Sequence, residues 1–204
     1  MGIYSKYILP RLTDLAMRQE QLKPYRSRVI GGAKGRVLEI GFGSGRNLPY
    51  YTSEANEVIG IDVSPEILVL ARPAVENSSR KVRLITHTAE SLPLDDKSFD
   101  TVVVTWVLCC IPDPVVALRE ARRVLKPGGQ LRFVEHGLSP NPGVARWQNR
   151  LTPMWSYCAG GCHLNRKTDD LLRAAGFTLP ELSTGYAPGL RAFSYMYEGT
   201  ALST

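Results

Sequence analysis

Short apolar runs alternate with more polar segments of helical spacing along the first 136 residues of the chain. Five of the apolar runs are typical of β-strands: RVLEIG, EVIGIDVS, KVRLITHT, DTVVVTWVL and QLRFVEH. The fourth run is apolar at almost every position, as expected for a central parallel strand that is covered on both faces. Helices are predicted between the strands, one beginning at Ser64-Pro65 and one ending at Pro127 and the two glycines after it. This alternation predicts an α/β protein with a parallel sheet and helices on both faces.

The segments outside this alternating region have different patterns. Residues 1–30 are predicted to form an amphipathic helical approach that Lys23-Pro24 interrupts. One side of its helix carries Leu12, Leu15, Ala16 and Gln19. Residues 137–167 contain prolines, paired glycines and three aromatic residues, and we expect them to form an insertion. A helix capped by Thr168 and the strands FTLPELST and AFSYMYE follow, which predicts a single domain over residues 1–204 with a seven-stranded, mostly parallel sheet.

Composition narrows the class of protein. The chain has 204 residues, of which 44% are hydrophobic, and no run approaches the ~20 apolar residues that span a bilayer. We therefore predict a soluble, cytoplasmic protein without a transmembrane segment; a monomer is compatible with the sequence, which does not fix the oligomeric state. The net charge is +6, but the basic residues spread over several sides of their helices and accompany no nucleic-acid-binding motif. A solvated basic surface is the expected result, with no nucleic acid as partner.

Four cysteines remain to be explained: Cys109, Cys110, Cys158 and Cys162. None of their spacings is diagnostic of a metal site, and the adjacent pair ends a strongly apolar segment. Buried, reduced thiols and no metal are therefore the prediction. A thiolate-rich site for zinc or trivalent arsenic, assembled from these cysteines and His163, stays open as an alternative.

A glycine-rich turn follows the first strand and is expected to hold a nucleoside. Gly41, Gly43 and Gly45 alternate, but Arg46 stands where the dinucleotide fingerprint needs glycine or alanine, and the phosphate-loop pattern is absent. Glu39 would repel a pyrophosphate and suits a ligand with a cationic end. Asp62, 17 residues after Gly45 at the end of the next strand, can accept both hydroxyls of a ribose. Together these residues predict S-adenosylmethionine, which carries a sulfonium and an ammonium and no phosphate.

The stretches VLEIGFGSGRN, VIGIDVSPEIL, TAESLPLDDKSFDTVVVTWVL and ALREARRVLKPGGQLRFVEH resemble, in this order, the class I S-adenosylmethionine-dependent methyltransferases. The resemblance implies a Rossmann-like fold and a cofactor at the carboxyl edge of the first strands. It assigns the adenine contact to the stretch around Ala89, where Thr88 replaces a typical aspartate, and places Thr105 beside the methionyl group. The implied cofactor-binding residues are Glu39, Gly41, Gly43, Gly45, Asn47, Asp62, Val63, Thr88, Ala89, Glu90 and Thr105.

A narrower resemblance covers the part of the chain expected to hold the methyl acceptor. Leu108-Cys109, Glu135-His136 and the run from Gly161-Cys162 to Arg166 are similar to motifs of the alkyl thiol methyltransferases. Many other relatives have a histidine pair where Cys109-Cys110 stands. The similarity implies S-methylation of a small thiol; the thiol group also carries a membrane-anchoring N-terminal stretch, which we do not expect here. N- or C-methylation of a lipid or quinone-like metabolite, and cofactor binding without catalysis, remain alternatives.

Three residues are candidates for catalysis. His136 ends the fifth strand, where a neutral imidazole can take the proton of a thiol or can simply shape the pocket. Tyr7 and Asp14 lie on the N-terminal segment, which folds over the cofactor as a lid in many members of the family. A plain surface or packing role is the alternative for both. The aromatic residues of the insertion either line the acceptor pocket or pack the insertion: Trp147, Trp155 and Tyr157.

Overall fold

The structure is a computed structural model that describes residues 4–203. The first three residues of the predicted lid therefore lie outside the described part. The seven strands are β1 Gly35–Ile40, β2 Ala55–Asp62, β3 Lys81–Thr86, β4 Phe99–Thr105, β5 Leu125–His136, β6 Phe177–Tyr186 and β7 Tyr195–Ser203. The α-helices are α1 Leu9–Ala16, α2 Lys23–Gly31, α3 Pro65–Glu76, α4 Pro114–Val124, α5 Pro142–Cys158 and α6 Thr168–Ala174.

All seven strands form one sheet in the order β3-β2-β1-β4-β5-β7-β6. The first five are parallel to one another, and β7 runs antiparallel between β5 and β6. The predicted seven-stranded, mostly parallel sheet is confirmed. β2 and β4 lie on opposite sides of β1, so the order of the strands reverses at this point. Ligands of open α/β sheets bind at the carboxyl ends of the strands at such a switch point.

Helices cover both faces of the sheet, as predicted. Leu38 and Ile40 of β1 belong to a hydrophobic cluster that includes the buried sides of α4 and α6. Val37 belongs to a second cluster, with α2 and α3, because successive side chains of a strand point to opposite faces. Glu39 lies on the same face as Val37, directly before the glycine turn.

Predicted helix boundaries are partly confirmed. Ser64 caps α3, since its hydroxyl accepts a hydrogen bond from the Ile67 amide at 3.2 Å. Lys23-Pro24 begins α2 instead of interrupting a helix, because proline fits the first turn, where its missing N–H needs no partner. Thr168 is the first residue of α6, and Lys167 occupies the cap position that we assigned to Thr168.

The region predicted as an insertion contains a 17-residue helix, α5. Asn141 caps it, because its side-chain oxygen accepts hydrogen bonds from the amides of Gly143 and Val144. Pro142 begins the helix and Pro153 lies within it. The prolines that we took as a break in regular structure are thus accommodated by α5.

The N-terminal helix turns its apolar side outward. Leu12 and Leu15 of α1 are exposed, Leu15 to 62%, whereas Asp14 is only 7% exposed. Asp14 accepts hydrogen bonds from Ser44 and Arg46, and with Pro10 it lies on the side of the helix that faces the protein. Within residues 4–203, no helix is both long and apolar enough to cross a membrane.

Candidate active site

The glycine turn leaves an open space at the carboxyl end of β1. Gly41, Gly43 and Gly45 adopt φ values of +74°, +57° and +77°, in the left-handed region that favours glycine. A Cβ added at Gly43 would meet no atom closer than 3.9 Å, so this side of the turn faces free volume. A ligand can therefore approach the backbone at Gly43 closely.

Asp62 joins the ends of β1 and β2. One carboxylate oxygen accepts a hydrogen bond from the Gly43 amide and the other accepts one from the Ser64 amide, each at 3.0 Å. Burial raises the pKa of Asp62 although these amide hydrogen bonds oppose the shift. Val63, which follows it, is 66% exposed. The carboxylate is thus fixed beside the open face of the turn, with lone pairs left for a ribose.

Glu39 lies beneath the turn and is completely buried. Its two oxygens accept hydrogen bonds from the Asn47 amide group at 2.8 Å and the Tyr51 hydroxyl at 2.7 Å. Burial raises the pKa of Glu39 to about 7 against these hydrogen bonds. Glu39 therefore braces the turn from below, and its direct contact with a cofactor stays a prediction.

Arg26 of α2 completes this network and was not found from the sequence. Its Nε donates to Asn47 Oδ1 at 3.0 Å, and its guanidinium lies 4.8 Å from the centre of the Trp106 ring. The same asparagine donates to the Thr105 hydroxyl at 2.9 Å. Arg26 precedes Asn47 by 21 residues, and no local motif links the two. Asn47 and Thr105, both predicted site residues, are in direct contact.

The loop after β3 brings the predicted adenine contacts to the same edge of the sheet. The Thr88 hydroxyl donates to the Glu90 carboxylate, whose other oxygen accepts a hydrogen bond from the Asp113 amide at 3.0 Å. Ala89 between them is buried. Glu90 thereby fixes this loop to the start of α4, and the adenine contacts of all three loop residues stay predictions.

Asp14 attaches α1 to the glycine turn. One of its oxygens accepts hydrogen bonds from the Ser44 hydroxyl at 2.5 Å and from Arg46 at 2.8 Å, and the other binds Arg18 at 2.6 Å. Burial would raise the pKa of Asp14, but these three partners outweigh it and lower the pKa. Tyr7 is exposed. The structure thus connects Asp14 to the turn, while catalytic roles for Asp14 and Tyr7 stay predictions.

Glu135 and His136 end β5, next to the end of β4. One Glu135 oxygen accepts hydrogen bonds from the Val107 and Leu108 amides at 2.8 and 3.1 Å; the other has no partner among the described residues. Burial raises the pKa of Glu135 to about 7. His136 Nε2 lies 3.3 Å from Cys162 Sγ. Burial would lower the pKa of His136, but the contact with Cys162 and the negative charges of Cys162 and Glu135 raise it.

Three of the four cysteines form one cluster. The sulfurs of Cys109, Cys110 and Cys162 all lie within 4.8 Å of one another, and all are free thiols. Hydrogen bonds from Cys109 and Cys110, together with His136, lower the pKa of Cys162. Cys158 is exposed and lies outside the cluster, so the five-residue arrangement considered from the sequence is not formed.

The aromatic residues of α5 lie at the protein surface. Tyr157 is 90% exposed, and Trp147 and Trp155 are exposed as well. One side of Trp155 packs edge-on against Phe193, with ring centres 4.8 Å apart. Of the two functions considered for these residues, the structure supports packing for Trp155.

Known proteins with similar sequences and folds show the family to which the chain belongs. Residues 38–133 match the family model of the methyltransferase domain. The rat thiol S-methyltransferase TMT1B is 33% identical over 189 residues, which are 88% of this chain and 77% of that protein. A phosphatidylethanolamine N-methyltransferase from Cereibacter sphaeroides is 38% identical over 109 residues, or 52% of this chain and 53% of that protein.

A solved structure shares the fold. The Burkholderia thailandensis 1,6-didemethyltoxoflavin-N1-methyltransferase, solved with its substrate and S-adenosylhomocysteine bound, superposes with a TM-score of 0.67 at 19% identity. The match covers 96% of this chain and 84% of that one. In the present structure, the open face of Gly43 and the fixed carboxylate of Asp62 leave room and hydrogen-bond acceptors for a nucleoside. S-adenosylmethionine is the cofactor. The chain belongs to the class I S-adenosylmethionine-dependent methyltransferases, within the group that contains the thiol S-methyltransferases.

Proposed function

We propose that this methyltransferase transfers the methyl group of S-adenosylmethionine to the sulfur of a small thiol. The supporting observation is how far each similarity extends along the chain. Similarity to a thiol S-methyltransferase spans 88% of the chain, whereas similarity to a lipid N-methyltransferase spans 52%. The cofactor site is common to the whole class, so similarity beyond it is the part that bears on the acceptor.

The acceptor belongs at the carboxyl ends of β4 and β5. Thr105 and Asn47 mark the methionyl side of the cofactor site, and β4 and β5 are neighbours, with Thr105 opposite Val134 in the register. His136, two residues further along β5, is therefore close to the place where the methyl group leaves. The thiol motifs Leu108-Cys109 and Glu135-His136 meet here, since Glu135 holds the Leu108 amide.

Little chemistry is required of the protein at this position. When bound, S-adenosylmethionine supplies a methyl group on a positively charged sulfur. An in-line nucleophile attacks the methyl carbon and displaces that sulfur. The chain's own residues hold the donor through the glycine turn and Asp62, and orient the acceptor sulfur on the opposite side of the methyl group. A free thiol has a pKa near 8.5 and is partly ionised at neutral pH. We assign contact with the acceptor to His136. Its Nε2 atom lies beside the sulfur of Cys162.

Methylation assays with purified protein test this proposal. The protein is incubated with methyl-labelled S-adenosylmethionine and separate small thiols, primary amines and demethylated quinones, and the products are identified by mass spectrometry. We expect methyl thioethers from thiols and no product from the other acceptors. Gly43→Val, which fills the open face of the turn, serves as the inactive control. Methylation of amines or quinones with no thioether would refute the assignment.

Methylation of a lipid or quinone-like metabolite is the second candidate. The side chains of Ile8, Leu12 and Leu15 form an exposed apolar side at the N-terminal helix, which a lipophilic molecule can contact. Phosphatidylethanolamine vesicles and a demethylated quinone in detergent therefore belong in the same set of assays.

A further inference from the structure

Three sulfurs meet in the region where we place the acceptor. Cys109 Sγ and Cys110 Sγ are 3.5 Å apart, and Cys162 Sγ lies within 4.8 Å of both. Cys109 and Cys162 are buried, whereas Cys110 is half-buried and gives the cluster access to solvent. The sulfurs of two adjacent cysteines and of one cysteine from a distant loop are thus close enough to bind the same ion.

Two loops hold this arrangement in place independently of the thiols. After β4, the Cys110 amide donates to Val107 O at 2.9 Å, which curls the chain around the adjacent pair. The loop after α5 is joined to it because the His163 amide donates to Cys109 O at 2.9 Å. The Arg166 guanidinium also donates to Leu108 O and, at 2.6 Å, to Ile111 O. The sulfurs are therefore preorganised by backbone contacts.

The surroundings call for a cation. Glu135 Oε2 is buried and has no hydrogen-bond partner among the described residues. Its carboxylate and the three sulfurs are all acceptors, or anions once ionised. His136, 3.3 Å from Cys162, can offset one such charge, and a buried anion left without a compensating charge is costly. His163 is engaged elsewhere, since its Nδ1 lies 2.7 Å from Gly161 O.

We propose that Cys109, Cys110 and Cys162 bind one zinc ion whose fourth coordination position accepts the sulfur of the thiol substrate. This inference rests on the proposed thiol acceptor. Zinc–sulfur bonds of about 2.3 Å give sulfur–sulfur separations of about 3.8 Å in a tetrahedron, within the range of the cluster. Three protein ligands with one open position are the pattern of catalytic zinc sites, whereas structural sites use four.

His136 supports a ligand in this arrangement. Its Nε2 lies 3.3 Å from Cys162 Sγ. Among the described residues, the ligand atoms that all lie within 4.8 Å of one another are the three sulfurs, without the His136 nitrogen. An imidazole in contact with a ligand fixes the ligand's orientation, and the fourth coordination position is left for the substrate.

The reaction balances without an oxidant or reductant. When the thiol binds, a zinc–sulfur bond forms, the S–H bond breaks and the proton passes to water. A lone pair of the bound sulfur then forms the new bond to the methyl carbon. The carbon–sulfonium bond breaks, and its electron pair stays on S-adenosylhomocysteine. The product thioether is neutral and a weaker ligand than a thiolate, so it leaves the zinc.

Metal binding provides a test that does not depend on activity. The full-length protein is stripped with a chelator and titrated with zinc alone, and bound metal is counted by mass spectrometry. We expect one zinc per chain, with affinity reduced at least about 100-fold in Cys109→Ser and in Cys162→Ser. Cys158→Ser is the matched control and should bind zinc as the unmodified chain does. Circular dichroism of each variant monitors folding, and the unmodified chain tests the proposal even if a variant misfolds.

Cobalt(II) tests the open position. Cobalt occupies tetrahedral sulfur sites and has visible absorption bands that respond to its ligands. Adding 2-mercaptoethanol to the cobalt-loaded protein should change these bands, and adding ethanol should not. The proposal is overturned if the unmodified chain binds no zinc, if Cys162→Ser binds it normally, or if the thiol leaves the spectrum unchanged. A thiol-dependent spectrum without methylation of any thiol would instead refute the proposed function.

Discussion

Replacing Glu39 with glutamine isolates the energetic cost of the charge beneath the glycine turn. The substitution keeps the shape of the side chain and an oxygen that can accept from Asn47. It removes the ionisable group. The Tyr51 hydroxyl, which donates a hydrogen bond to Glu39, can instead accept one from the new amide group. The change therefore tests charge with little change in packing.

The magnitude follows from the pKa of Glu39. Burial raises it from 4.5 to about 7 in the folded protein. Between these values the unfolded chain has lost the proton and the folded chain retains it, so stability falls as pH rises and levels off above about 7. Since one pKa unit corresponds to 1.36 kcal/mol, the loss is about 3 kcal/mol. Glu39→Gln lacks this loss. Between pH 4.5 and pH 8, its free energy of unfolding should therefore rise by about 3 kcal/mol relative to that of the unmodified protein.

Urea denaturation at several pH values from 4.5 to 8 measures this difference. The shift of Glu135, which is in the same direction, is common to both proteins and cancels. Glu57→Gln is the matched control: Glu57 pairs with Lys81 and Arg36, and the hydrogen bond from Lys81 lowers its pKa, so its pH dependence has the opposite sign. A stability difference between Glu39→Gln and the unmodified protein that does not vary with pH would refute the reasoning.

The same substitution should weaken the binding of S-adenosylmethionine. At pH 8 the ionised Glu39 favours a cationic ligand above it, and loss of about 1.4 kcal/mol of attraction corresponds to tenfold weaker binding. Calorimetry with S-adenosylmethionine at pH 8 measures this. Equal affinity in both proteins would show that the charge of Glu39 does not reach the ligand.

Three further predictions concern the cofactor site and the fold. Asp62→Ala and Gly43→Val should each reduce S-adenosylmethionine affinity at least about tenfold in calorimetry, because one removes the ribose acceptor and the other fills the open face of the turn; unchanged binding in both would contradict the cofactor geometry. Gln148→Ala should cost about 2–4 kcal/mol in urea denaturation, since this buried side chain makes hydrogen bonds to three backbone groups that would lose their partner. Gly60→Ala should lower the melting temperature, because a Cβ there would lie 2.3 Å from an aromatic ring of the glycine turn. Its control Gly31→Ala, with open space around the added atom, should melt at the same temperature or higher.

The parts of the fold that sequence predicts well are those governed by local pattern. The apolar runs gave all five parallel strands, and Ser64-Pro65 gave the start of α3, because strand alternation and helix caps depend on neighbouring residues. Proline was misleading in two places. In α2 and α5 it occupies helical positions, and the sequence pattern was taken as a break.

The site was predictable where it lies on a motif and not where it depends on packing. Asp62 contacts the Gly43 amide of the turn, as their places at neighbouring strand ends lead one to expect, whereas Arg26 reaches Asn47 from a helix with no recognisable motif. The thiol cluster was foreseen only in part: the sequence offered a site that also included Cys158 and His163, and three of those five residues form it. Its members come from two loops 52 residues apart in sequence, between Cys110 and Cys162, and only the joining of those loops brings the sulfurs together.

The attachment of α1 through Asp14 should make the predicted lid sensitive to salt. The helix leaves Leu12 and Leu15 in water, so its contacts with the turn depend strongly on the pairing of Asp14 with Arg46 and Ser44. Asp14 is buried but the Arg46 side chain is 40% exposed, so rising ionic strength screens their attraction in part. With α1 as the lid that the sequence predicts, exchange of S-adenosylhomocysteine for fresh donor should therefore speed up in concentrated salt.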